Sequence, residues 1–251
     1  MNSQRVSQRL FVKADLANGA NVELDRNQAN YLVNVLRMRP HDEVLVFNGE
    51  QGEWVAELGR LDRRSWGLTV TGQQRPQTDR PDLHYIFAPL KHGRLDYMVQ
   101  KAVEMGAGRL TPVQTQYGQV KKINVERMEA NAIEAAEQCG LLSVPGIDDM
   151  QPLARLLENW RKIEPDRRII FCDEEGSGGD PIAVLGKIKR PRLAVLVGPE
   201  GGFSPEERKL LRSLAFVTPI SLGPRILRAD TAAVAALAVV QAAIGDWRGD
   251  D

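Results

Sequence analysis

Two hydrophobic rhythms divide the chain. From residue 9 to about residue 70, apolar positions fall in short runs, Leu10-Phe11-Val12, Val44-Leu45-Val46-Phe47, Trp54-Val55-Ala56-Glu57-Leu58 and Trp66-Gly67-Leu68-Thr69-Val70, parted by turn signals such as Asn48-Gly49. Runs of this length, several of them alternating, predict a small β-barrel. One helix interrupts them: Asp25 is placed to cap a segment in which Ala29, Leu32, Val33 and Leu36 recur at helical spacing before Arg37-Met38-Arg39-Pro40. The polar stretch Gln74-Arg75-Pro76-Gln77-Thr78-Asp79-Arg80-Pro81 then marks a boundary, giving one domain over residues 1–77 and a second over 78–251.

Beyond the boundary, longer apolar runs alternate with helical spacing. Residues 83–90, 109–113 and 168–172 read as strands, 95–105 as a helix stopped by Gly106, and 125–139 as another helix. This is the pattern of a largely parallel sheet covered by helices. Two later units share one form. Leu193-Ala194-Val195-Leu196-Val197 runs into Gly198-Pro199-Glu200-Gly201-Gly202-Phe203, after which Ser204, Pro205 and Glu207 are arranged to start a helix. Residues 216–222 run into Gly223-Pro224-Arg225-Ile226-Leu227-Arg228-Ala229-Asp230-Thr231, and an Ala/Val-rich helix follows over 232–244. One such loop reads as a turn whose glycines permit positive φ; two at neighbouring strand ends predict a ligand site.

The loop chemistry narrows the ligand. A phosphate-cradling loop uses glycine amides and usually a Lys followed by Ser or Thr, whereas this loop carries Glu200 and no Lys, so a nucleotide-dependent hydrolase ranks last among the readings. Backbone donors and acceptors beside a carboxylate suit an adenine edge, ribose hydroxyls and a positive centre, which describes S-adenosylmethionine better than ATP or NAD.

Composition changes this picture little. The 251 residues are 43% hydrophobic and 26% charged, an ordinary globular balance, and the formal net charge is zero. General attraction for phosphate is therefore weak, and any grip on RNA must come from a few arginines on one face. Cys139 and Cys172 are far apart, and His41, His84 and His92 form no metal motif, so no metal is expected. The N-terminus lacks an apolar core, and the apolar run 232–244 is short and broken by Gln241, which predicts a cytoplasmic protein without a membrane partner.

The segments Val197-Gly198-Pro199-Glu200-Gly201-Gly202-Phe203-Ser204 and Leu222-Gly223-Pro224-Arg225-Ile226-Leu227-Arg228-Ala229-Asp230-Thr231-Ala232 closely resemble the small-subunit ribosomal RNA uracil-N3 methyltransferases of the SPOUT superfamily. The likeness extends to Gln100-Lys101-Ala102-Val103-Glu104-Met105-Gly106, Glu137-Gln138-Cys139-Gly140 and Val35-Leu36-Arg37-Met38. It implies an α/β protein: a PUA-like β-barrel that binds RNA, then a trefoil-knotted SPOUT methyltransferase domain. It also implies S-adenosylmethionine as cofactor, a homodimer, and methylation of one uridine at N3 in 16S rRNA; the zero net charge, which leaves little general attraction for naked RNA, points to the assembled small ribosomal subunit as the substrate. A noncatalytic RNA-binding or ribosome-assembly factor is the alternative. The chain departs from the expected pattern at Asp230, where Glu is expected, and at Leu141-Leu142-Ser143, where basic residues are expected.

On this reading Val197, Gly198, Pro199, Glu200, Gly201, Gly202, Leu222, Gly223, Ile226, Leu227 and Glu174 bind the cofactor. N3 of uracil must lose its proton before it attacks a methyl group, and the anion spreads onto the carbonyl oxygens; Arg228, and secondly Arg225, are the candidate catalytic guanidiniums. Their alternative role is an ion pair with Glu200 or Asp230, and Asp230 is expected to cap the last helix. Arg37, Lys91 and Arg94 are the RNA-binding candidates; for Arg37, as for Arg39, favourable charge at a helix end is an equal reading. Lys101 and Glu104 are expected to pair within their helix, Glu137 and Gln138 to line the pocket or finish a helix, and Arg60, Arg63 and Arg64 to form a solvated face.

Overall fold

The computed structural model describes residues 8–91, 93–176, 179–189 and 192–248; His92 and the first seven residues lie outside the described set. The chain forms two compact units, Met1–Arg80 with Ala136–Val144, and Pro81–Ala135 with Pro145–Asp251.

In the first unit the short apolar runs become strands β1 (Arg9–Phe11), β3 (Glu43–Phe47), β4 (Glu53–Arg60) and β5 (Trp66–Arg75), joined by β2 (Asn21–Glu23). They pair in the order β1-β3-β4-β5-β2, with β1 and β3 parallel and the other neighbours antiparallel. Alternate positions Val44, Val46, Ala56, Leu58, Leu68 and Val70 turn to one side and close a core with Leu10, Val22 and Leu32. Strand β2 escaped the sequence reading because Val22 is its one apolar residue. Helix α1 (Arg26–Asn30) starts as expected, with a capping box in which Asp25 accepts from the Asn27 and Gln28 amides and Gln28 bonds back to the Asp25 amide. It then widens into a π-helical turn, Tyr31–Val35, so that Leu36 N–H donates to Tyr31 O at 2.9 Å and Arg37 enters the left-handed region at φ 57°. Arg37 thus stands one residue past the helix C-cap rather than within the last turn.

Residues 136–144 belong to this unit through Arg9, whose guanidinium donates to Ala136 O at 2.6 Å, Glu137 O at 2.9 Å and Leu141 O at 2.7 Å. The Glu137 carboxylate accepts from Phe11 N–H at 2.8 Å, so this side chain secures β1.

The second unit is built from β6 (Leu83–Phe87), α2 (Gly93–Glu104), β7 (Ala107–Gln114), α3 (Val125–Cys139, whose last four residues belong to the first unit), β8 (Gly146–Ile147), β9 (Gln151–Pro152), α4 (Leu153–Ile163), β10 (Arg167–Cys172), α5 (Pro181–Leu185), β11 (Arg192–Val197), α6 (Pro205–Ser213), β12 (Val217–Ile220) and α7 (Ala229–Ile244). The strand order is β12-β10-β11-β6-β7-β8, with β9 also on β7, and every pairing is parallel. Continuous apolar runs fit such a sheet because both faces are covered. Ile86, Ile169, Phe171, Ala194 and Leu196 pack with Leu153, Leu156, Leu157 and Trp160 of α4 and Leu211 of α6. Each of the buried leucines contributes roughly 1.5–3 kcal/mol. Helix α4 was missed in the sequence although these four residues are spaced i, i+3, i+4, i+7, the pattern of a helix with one apolar face.

Helices α2 and α7 contact each other, and α7 buries Ala233, Ala236, Leu237 and Val240. Gln241, which breaks the apolar run of α7, is itself buried and donates to Met105 O at 2.8 Å, tying α7 to the end of α2. There Gly106 stops α2 at φ 82°, and a Cβ on it would lie 2.6 Å from Gln241 Nε2. The carboxyl ends of β10, β11 and β12 are adjacent, and β11 sits between β6 and β10, two strands that precede it in the chain.

Candidate functional site

Because those three strands are neighbours and run parallel, the loops that follow them leave the same edge of the sheet. They enclose a pocket of about 630 Å³, including space open to solvent. Cys172, Asp173 and Glu174 come from the β10 loop; Val197, Gly198, Pro199, Glu200, Gly202 and Phe203 from the β11 loop; Ser221, Leu222, Gly223, Arg225, Ile226 and Leu227 from the β12 loop; Ala229 and Ala232 from α7. All the residues expected at a cofactor therefore meet at one pocket except Gly201, whose α-carbon faces Tyr117: a Cβ there would lie 3.2 Å from Tyr117 Cβ. The sequence reading missed Cys172, Asp173, Phe203, Ser221, Ala229 and Ala232, although each adjoins a residue or a loop it had singled out. Burial, with the Asp173 charge beside it, pushes the Cys172 thiol up to about 12, so it is neutral at physiological pH.

The β11 loop is shaped by its own residues. Gly202 N–H donates to Pro199 O at 2.9 Å, closing a tight turn over Glu200 and Gly201. Gly202 has φ 70°, and a Cβ there would come within 1.9 Å of Glu174 Oε1. A Cβ on Gly198 would lie 2.6 Å from the Phe203 ring. The expected capping box starts α6: Ser204 Oγ accepts from Glu207 N–H at 3.1 Å, and Glu207 accepts from Ser204 N–H at 2.9 Å and from Gln116 N–H at 2.8 Å. The β10 loop is held to β12 by Asp173 N–H, which donates to Ile220 O at 2.9 Å.

Carboxylates dominate the charged lining. Asp173 is buried and accepts from Arg212 Nε at 2.7 Å, Glu174 accepts from Arg208 at 3.1 Å, and Glu200 faces Arg94 at 3.8 Å. Among the described residues no lysine lines the pocket. Arg225 lines it and is exposed; Arg228 does not line it and stands exposed at the N-cap of α7. Among the described residues neither makes an ion pair with Glu200 or Asp230, which overturns the alternative reading for both. Asp230 is corrected as well: it lies within the first turn of α7, accepts from Thr231 N–H at 2.9 Å, and does not cap. Its charge still favours the helix N-terminus.

Lys91 is exposed beyond β6, Arg94 is in the first turn of α2, and Arg37 is exposed in the first unit. Neither Glu137 nor Gln138 lines the pocket. Lys101 and Glu104 pair at 2.7 Å as expected, and Arg60 is exposed but stacks over Trp66, 4.0 Å from the ring centre. Among the described residues no group of three or more His, Cys, Asp or Glu could hold a metal ion, and no helix is long and apolar enough to cross a membrane.

Residues 77–241 match the family described as the RNA methyltransferase domain, and residues 24–65 match the RNA methyltransferase PUA domain. The chain belongs to the RNA methyltransferase family. This methyltransferase is similar over 234 residues, at 28% identity and covering 93% of this chain and 94% of the relative, to the ribosomal RNA small subunit methyltransferase E of Rickettsia conorii. A ribosomal RNA small subunit methyltransferase E from Neisseria gonorrhoeae, solved bound to S-adenosylmethionine, matches with a TM-score of 0.79 at 26% identity, covering 94% of this chain and 97% of that one. A Legionella pneumophila protein, solved in complex with the bound cofactor S-adenosylmethionine, matches with a TM-score of 0.78 at 28% identity, covering 95% of this chain and 98% of that one.

Proposed function

We propose that this RNA methyltransferase takes a methyl group from S-adenosylmethionine and places it on N3 of one uridine in the 16S rRNA of the small ribosomal subunit. The observation that carries the reading is the convergence of three strand-end loops on a pocket lined by glycines, carboxylates and main chain, with no lysine among the described residues. The residues fit that cofactor. Gly198 and Gly202 stand where Phe203 and Glu174 leave no room for a Cβ, so the close packing of the pocket loops requires glycine at both positions, and Glu174 and Glu200 complement a positive centre.

The bound cofactor supplies an electrophilic methyl group on a sulfonium. The main chain of the β11 and β12 loops, with Val197, Pro199, Leu222, Gly223, Ile226 and Leu227, would orient it. Arg228, and Arg225 on the pocket wall, are exposed and have no ion-pair partner among the described residues, so their guanidiniums are open to the carbonyl oxygens of a uracil. Their charge would stabilise the anion left when the N3 proton passes to water, and the N3 lone pair would then bond the methyl carbon in line as its bond to sulfur breaks and that electron pair stays on sulfur.

The finer architecture belongs to the same proposal. Residues 1–77 are a PUA-like barrel that holds RNA, and residues 78–251 are a SPOUT domain whose trefoil knot is supported by the insertion of β11 between the earlier strands β6 and β10. Arg37, Lys91 and Arg94 contact RNA phosphates. The protein works in the cytoplasm as a C2 homodimer. Ile226, 92% exposed at the pocket rim, suits burial by a second copy, while much of the apolar face of α7 is already buried. A fully active monomer in sedimentation at assay concentration would refute the dimer. The reaction itself is tested by mass spectrometry of rRNA nucleosides from a deletion strain. N3-methyluridine should disappear and return with the gene; its persistence would overturn the assignment.

A further inference from the structure

Beneath the pocket lies an ion cluster that the reaction does not use directly. Arg208 of α6 does not line the pocket, and its side chain is only 7% exposed. Its guanidinium donates to Glu174 Oε1 at 3.1 Å and to Phe203 O at 3.4 Å, pairs with Glu175, and places Nε 3.3 Å from Asp173 Oδ1 without the alignment of a hydrogen bond. Arg212 takes the other side of Asp173 at 2.7 Å. Asp173 and Glu174 wall the pocket from the β10 loop, and Phe203 walls it from the β11 loop. One rigid fork therefore spans two of the three loops from behind. A guanidinium offers five donors in a fixed plane, which a lysine ammonium cannot reproduce.

We infer that Arg208 is a positioning residue for the cofactor pocket: it holds the Glu174 carboxylate and the Phe203 carbonyl at the separation that a bound cofactor requires. This rests on the reading of the pocket as the S-adenosylmethionine site. Removing the fork frees Glu174 to move away from Gly202 and into solvent and uncouples the two loops, while Arg225 and Arg228 on the β12 side are untouched. The cost falls on cofactor binding rather than on the methyl-transfer step.

The test uses the full-length protein with Arg208→Lys and Arg208→Met, calorimetry with S-adenosylmethionine and S-adenosylhomocysteine, steady-state kinetics, and melting of the ligand-free protein. Both variants should raise Kd and the cofactor KM by about tenfold or more, with kcat at saturating cofactor within about threefold of wild type. A lower melting temperature with unchanged Kd would reduce Arg208 to a fold-stabilising residue and overturn the inference. If neither variant folds, hydrogen exchange of the wild-type protein decides: cofactor should protect 173–176 and 198–204 together, and protection of one loop alone refutes the coupling. A wild-type protein that binds neither ligand would instead fail the reading of the pocket.

Discussion

Gly202→Ala perturbs the site at the point where backbone strain and steric conflict coincide. Gly202 has φ 70°, where a residue with a Cβ costs about 1–2 kcal/mol more than glycine. The new methyl group would also sit 1.9 Å from Glu174 Oε1, so the carboxylate must swing away and give up its 3.1 Å bond to Arg208. Glu174 is at the end of a flexible, half-exposed side chain, so this movement costs little in stability. The pocket wall nevertheless loses its arrangement. A destabilisation of about 1–2 kcal/mol corresponds to a melting temperature roughly 2–8 °C lower. Cofactor affinity should fall by about tenfold or more, equivalent to at least about 1.4 kcal/mol. Calorimetry and thermal melting of the variant measure the two effects separately. Gly202→Asn sorts them further, because Asn tolerates positive φ better: it should regain stability but not affinity. Adding Glu174→Ala to Gly202→Ala should relieve the clash without removing the backbone strain. A Gly202→Ala protein with wild-type affinity and melting temperature would refute the reasoning.

Arg228→Ala should lower kcat by roughly a hundredfold while cofactor affinity stays nearly intact, as expected for a charge used when the uracil anion forms; loss of cofactor binding in calorimetry would instead make Arg228 structural. His84 is buried, bonded to Thr111 at 2.6 Å, and its pKa is lowered from 6.5 to about 3, first by burial and then by Arg109 and Arg167. The unfolded chain takes up a proton there below its normal pKa and the folded chain does not. Stability is therefore lost as pH falls from about 6.5 towards 3, by about 2 kcal/mol between pH 7.5 and 5. Urea denaturation of His84→Asn should show that much less change over the same interval, and an unchanged pH slope would contradict the assignment. With no net charge the chain has little general attraction for RNA, so kcat/KM should be much higher on assembled small subunits than on a free stem-loop at one salt concentration. Equal rates would show that local sequence suffices.

Local chemistry was legible in the sequence because it acts over a few residues. The capping boxes of Asp25 with Gln28 and of Ser204 with Glu207 formed as their spacing required, and α3 spans the residues its periodicity marked. The two Gly-Pro loops could be read as strand ends for the same reason: a β-branched run before them and a helix start or apolar helix after them are nearest-neighbour signals. What the sequence could not state was which strand lies beside which. That order places Glu174, more than twenty residues before Gly198, against Gly202, and it depends on burial of both sheet faces by helices distant in the chain. Asp230 shows the limit on a small scale: Asp is a good cap, but α7 starts two residues earlier in the chain than the cap reading required. Gln241 shows it on a larger one, since a polar residue that breaks an apolar run acquires its purpose only when α2 ends beside it with a free carbonyl. Arg208 was one charged residue on an amphipathic helix, and only the tertiary structure buries it among three carboxylates, because low exposure makes such a charge tolerable only where its partners are already assembled.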